Sequence, residues 1–176
     1  MTYTTPVFST LNTEGVDLST AFTLSTSTPE YPNPPFVIGT EVIGSNDGRW
    51  VYATAAAAIT AGDVCVITKA FQAIGVTSAV AATSFGLRLA SSQATVTTGQ
   101  YSWYQYSGTD TSPGINVTAS IAQNVQLYTT ATAGRLGAIA TGSSVTAVGI
   151  VTTTTSASTA GPYPGVMVGA YVGAAN

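Results

Sequence analysis

The sequence predicts an all-β protein: a compact antiparallel sandwich or barrel-like domain preceded by an extended N-terminal arm. Three observations predict it. Thr is scattered along the whole chain, and its β-branched side chain is stiff and favoured on a pleated surface. Good helix formers are scarce, with one Lys, three Glu and few Leu. From Phe36 onward, short apolar runs alternate with clusters of Gly, Asn, Asp and Pro, the pattern of short strands joined by turns.

Taken in order, residues 1–28 are rich in Thr and Ser with few large apolar side chains, and residues 29–35 hold four prolines in seven positions. Proline fixes its own torsion and keeps its predecessor extended. Residues 1–35 therefore read as an arm plus a stiff linker, spanning ~3.1 Å per residue where the linker is extended. Residues 36–176 read as the β domain. A first strand pair folded back onto that domain is the competing reading of the arm, kept open by Phe22 and Leu24.

Within the domain, residues 36–43 are extended and 44–48 turn, with Asp47-Gly48 supplying the torsions of a tight hairpin. Residues 49–55 follow as a strand, with Trp50, Tyr52 and Thr54 on one face and Val51 and Ala53 on the other. Ala55 to Ala58 is helix-prone but too short to stand alone. Strands are expected at 64–68, 71–76 and 85–90. In residues 101–107, Tyr101, Trp103 and Gln105 share one face, and Ser102, Tyr104 and Tyr106 the other. Residues 115–121 and 125–129 are extended, 145–152 alternates as a strand, 153–161 reads as a flexible Thr/Ser stretch, and 166–172 is the last strand. No fixed-period repeat stands out.

Composition narrows function. The hydrophobic fraction, 45%, is ordinary, but only 6% of residues are charged, against about 25% in soluble domains. The net charge is only -3, which together with positive mean hydropathy argues for folding over disorder. So little charge makes a free monomer a solubility risk and suits a surface covered in an assembly. Arg49, Lys69, Arg88 and Arg135 lie far apart, so no basic patch for nucleic acid is expected. No polybasic, lipidation or long apolar segment points to a membrane. The first ten residues lack a basic region and an apolar core, so no secretory leader is expected. Cys65, the single cysteine, sits in an apolar run and reads as a buried, inert thiol.

The chain has no histidine, which removes the commonest general base, triad partner and metal ligand. Lys69 and Cys65 have no evident partner. Asp110-Thr111-Ser112 is faintly like an aspartic-protease loop, yet that chemistry needs two carboxylates sharing a proton, and no second copy exists. No loop has phosphate-binding spacing and no acidic cluster resembles a calcium loop. Asn116-Val117-Thr118 matches a glycosylation triplet that arises readily by chance. No catalytic residue, metal ligand or cofactor is assigned.

Five stretches carry a resemblance. They are residues 39–52 (Gly-Thr-Glu-Val-Ile-Gly-Ser-Asn-Asp-Gly-Arg-Trp-Val-Tyr), 58–67 (Ala-Ile-Thr-Ala-Gly-Asp-Val-Cys-Val-Ile), 99–105 (Gly-Gln-Tyr-Ser-Trp-Tyr-Gln), 127–136 (Leu-Tyr-Thr-Thr-Ala-Thr-Ala-Gly-Arg-Leu) and 148–151 (Val-Gly-Ile-Val). In this order they resemble the capsid decoration, or cement, proteins of tailed bacteriophages, small β-domain head proteins. The resemblance runs from about Phe36 to Val151. It implies a non-enzymatic virion protein, made in the host bacterial cytoplasm, that sits as a homotrimer on the outer capsid surface, binds the major capsid protein and stabilises the mature head. The arm lies outside it. Physical reasoning alone makes Phe8, Phe22 and Leu24 candidate anchors that dock on a neighbouring subunit or the shell. Trp103, Tyr104 and Tyr106 are expected to be core plus interface. The alternative is a carbohydrate- or receptor-binding β module of a phage tail or virion surface, with those aromatics as a stacking platform. A hydrolase is a remote third reading.

Overall fold

Alternating large and small side chains build the first wall of the molecule. Residues 49–55 and 101–109 become β2 (Arg49–Ala55) and β6 (Tyr101–Thr109), paired antiparallel with Tyr52 opposite Trp103. A computed structural model of the chain describes these and the other residues in 17–24, 34–44, 47–109 and 113–175. Three more strands complete a ring: β3 (Val64–Ile67), β4 (Gln72–Gly75) and β5 (Arg88–Ser92). β2 pairs with β4 in parallel, β4 with β3, β3 with β5, β5 with β6, and β6 returns to β2. Closure leaves this five-strand barrel no free edge within the ring. A short β1 (Glu41–Ile43) hairpins onto the start of β2.

The barrel interior is narrow, and its side chains are sized accordingly. Val51, Ala53, Ala55, Cys65, Ala73, Ala90 and Tyr104 form one buried cluster, the mix of small and large that fills a small barrel. The apolar run of β3 is buried on both faces. Cys65 and Ile67 point inward, while Val64 and Val66, with Leu89 of β5, point outward into a second core.

That second core is covered by the remaining strands: β7 (Ile115–Val117), β8 (Leu127–Thr129), β9 (Leu136–Gly137), β10 (Val145–Thr152), β11 (Gly161–Tyr163) and β12 (Gly165–Ala175). They continue the sheet from β6 in the order β12-β10-β8-β9-β7-β11, giving twelve strands among the described residues. Ile115, Leu127, Leu136, Ile150 and Met167 point inward beside Leu89. β10 and β12 are bulged where Gly149 sits at φ 75°; a side chain there would meet the Val168 carbonyl. The one helix among the described residues, α1 (Ser78–Ala81), is a single turn capped by the Thr77 hydroxyl.

A third cluster lies on the outer face of β2 and β6. Trp50, Tyr52 and Trp103 pack there with Leu18, which is 1% exposed. Phe36 meets Tyr52 and Trp103 edge-on at 5.4 and 5.0 Å.

The all-β class is as expected, with two of the pairings parallel. Two local expectations are corrected. Residues 17–24, inside the stretch read as a spacer-held arm, lie on the barrel: Leu18 is buried and Phe22 exchanges backbone hydrogen bonds of 2.8 Å with Tyr101. The reason is the aromatic face of β2 and β6, which offers a buried seat to any adjacent leucine. Residues 153–161 are pinned rather than flexible, because Ser156 is buried and its hydroxyl accepts from the Ile121 amide at 2.7 Å and donates to the Thr118 carbonyl at 3.2 Å.

Candidate interaction surface

The residues singled out from sequence fall in different places. Trp103, Tyr104 and Tyr106 are 2%, 0% and 8% exposed. They therefore cannot present rings to a partner or a sugar in the folded chain; alternation sends Trp103 into the Leu18 cluster and the two tyrosines into the barrel. Phe22 is half-buried, edge-on to Tyr101 at 6.4 Å. Leu24 is half-buried. Phe8, like Asp110, lies outside the described residues.

One end of the barrel is closed by a polar cluster that no sequence spacing announces. Arg88 on β5 pairs with Glu41 on β1, and its guanidinium carbon lies 4.1 Å from the centre of the Tyr106 ring. The Tyr106 hydroxyl donates to the other Glu41 oxygen at 2.7 Å. Burial alone would raise the Glu41 carboxyl; the hydrogen bonds from Arg88 and Tyr106 outweigh it and hold the group below its ordinary range. Burial, reinforced by the Glu41 carboxylate, raises the Tyr106 phenol.

Beside this mouth runs an apolar groove of about 470 Å³, lined by Phe85, Gly86, Val148, Tyr171, Val172 and Ala174. A smaller notch of about 260 Å³ shares Gly86 and Tyr171 and reaches Arg88 and Tyr106. Phe85 and Tyr171 are 53% and 44% exposed, and neighbouring Val168 is 69% exposed. Sequence reasoning placed Phe85 and Val168 inside strands and missed this surface; paired exposure of side chains far apart in the chain leaves no local signal.

The potentially reactive groups are tied into packing. Cys65 is wholly buried, and burial, then the nearby Asp63 charge, pushes its thiol well up. The Asp63 carboxylate accepts from the Thr60 amide and from the Asn116 side-chain amide, each at 2.8 Å. Asn116, the acceptor of the glycosylation triplet, is thus a buried staple between the barrel and β7. Lys69 is exposed on the β3–β4 turn. Among the described residues, no three His, Cys, Asp or Glu side chains gather where they could hold a metal ion, and no helix is long and apolar enough to cross a membrane. No family model, curated protein or solved structure matches the chain. What the described residues offer here is an apolar groove beside the paired charges of Arg88 and Glu41.

Proposed function

We propose that the protein is a virion structural protein that binds the outer surface of a tailed-phage capsid, through the major capsid protein, and stabilises the mature head. The observation that carries this reading is the apolar groove between half-exposed Phe85 and Tyr171 on a chain of which only 6% is charged. Such a patch marks a contact with another macromolecule. The ordered resemblance of the five stretches to decoration proteins supplies the class of partner. The stretches build β1, β2, β3, the start of β6, the β8–β9 connection and part of β10, so they are framework rather than a reactive site. Closed barrel topology and a doubly buried β3 suit a rigid clamp on a shell.

The burial of Trp103, Tyr104 and Tyr106 counts against the carbohydrate-binding alternative, which needs those rings as a stacking platform. Heads assembled without the protein test the proposal. They should release DNA at a lower temperature than complete heads and recover when purified protein is added. Heads equally robust with and without it would count against a stabilising role.

A further inference from the structure

Residues 17–24 lie on the barrel as a bound peptide lies on its receptor. Phe22 and Tyr101 form an antiparallel bridge, each amide donating to the other's carbonyl at 2.8 Å, and their rings meet edge-on at 6.4 Å. The Gln100 side-chain amide donates to the Thr23 hydroxyl at 2.7 Å. Four residues before Phe22, Leu18 is 1% exposed and packs on Trp50, Tyr52 and Trp103. Main-chain pairing at one point and a pocket for a side chain at another is how extended peptides are recognised by a sheet.

The segment shapes itself. The Asp17 carboxylate accepts from the Ser19 amide at 2.8 Å and from the Ser19 and Thr20 hydroxyls at 2.6 Å each, a turn closed by a side chain within four residues of sequence. The conformation that presents Leu18 is therefore set locally, and a ligand so preorganised gives up less freedom on binding. The seat is set independently of the leucine. Tyr52 lies opposite Trp103 in the β2–β6 ladder with ring centres 4.9 Å apart, and Phe36 packs edge-on against both.

We propose that the outer aromatic face of β2 and β6 is a peptide-binding site and that residues 17–24 are its resident ligand. The segment is a strap that closes the site to a partner's extended segment of the same pattern, a leucine followed four residues later by an aromatic ring. The two anchors are apolar because they meet rings, while Ser19 and Thr20 between them are exposed. This reading does not rest on capsid attachment, and its test uses no capsid.

The probe is an acetylated peptide of residues 17–24, labelled at its C-terminus. It is added to the full chain carrying Leu18→Ser and Phe22→Ser, and to the unsubstituted chain. The vacated site is expected to bind the peptide saturably and at least roughly tenfold more tightly than the unsubstituted chain, whose own strap competes at a high effective concentration. Binding should shift the emission of Trp50 and Trp103, which line the seat. A peptide carrying the same two serines should not bind. Circular dichroism shows whether the substituted chain keeps its fold; where it does not, the native peptide should restore the fold and the serine peptide should not. Neither binding nor restoration, equal binding by the two chains, or an effect indifferent to the serines in the peptide overturns the proposal.

Discussion

Glu41 and Arg88, 47 residues apart in sequence, meet across the mouth of the barrel and enclose the Tyr106 ring. Their side chains are 43% and 36% exposed, so solvent screens the pair, and its coupling should reach only about 1 kcal/mol. A double-mutant cycle with Glu41→Gln and Arg88→Met, read from urea midpoints, measures it. The pH dependence follows from sign. The folded Glu41 carboxyl lies below its ordinary 4.5, so its contribution is complete above that value and is lost as pH falls through the lower folded value. Glu41→Gln should therefore lose less stability than the native chain between pH 6 and about pH 3. Parallel losses would place the acid sensitivity elsewhere.

Leu18→Ala should destabilise the domain by about 2–5 kcal/mol, the range for a fully buried leucine, and shift the emission of Trp50 and Trp103, with which Leu18 packs. Truncation of residues 1–28 removes Leu18 and Phe22 together and should be still more damaging, the reverse of what a detached arm implies. A truncated chain with an unchanged denaturation midpoint would contradict the docked position of residues 17–24.

Much of the barrel was legible because strand alternation is local. The faces of residues 49–55 and 101–107 follow from a period of two, and the run Val64-Cys65-Val66-Ile67 announces burial on both faces. Residues 145–152 become β10 with the same bounds. The two-residue β9 and three-residue β11 are too short for any period to register; β9 exists through pairing with β8 and β7, and β11 through pairing with β7. The docking of Leu18 and the meeting of Glu41 with Arg88 depend on long-range closure, which spacing does not encode. The aromatic alternation around Trp103 was visible, but whether such a face looks to solvent or to core depends on what else folds over it.

Asp63 holds the turn before β3 to Asn116 of β7. Asp63→Ala should cost about 1–3 kcal/mol, because it leaves the buried Asn116 amide without its acceptor. Thermal denaturation of the single variants and of the double variant Asp63→Ala/Asn116→Ala checks this. The double should be less damaging than the sum of the singles, and strict additivity would mean that the two side chains do not communicate.

The Cys65 thiol is wholly buried and held protonated. Native protein should react with a thiol reagent only as fast as it opens, and completely once unfolded in guanidinium. Rapid stoichiometric labelling of the native chain at pH 8 would mean that the barrel interior is open to solvent.

The central claim is attachment to the outside of a phage head, and a titration measures it most directly. Purified protein is added to undecorated heads of a tailed phage, and bound protein is quantified after sedimentation. Saturable binding at a fixed number of copies per major capsid protein is expected, with density on the outer surface in electron micrographs. Binding that never saturates, or no binding to heads that lack the protein, would contradict it.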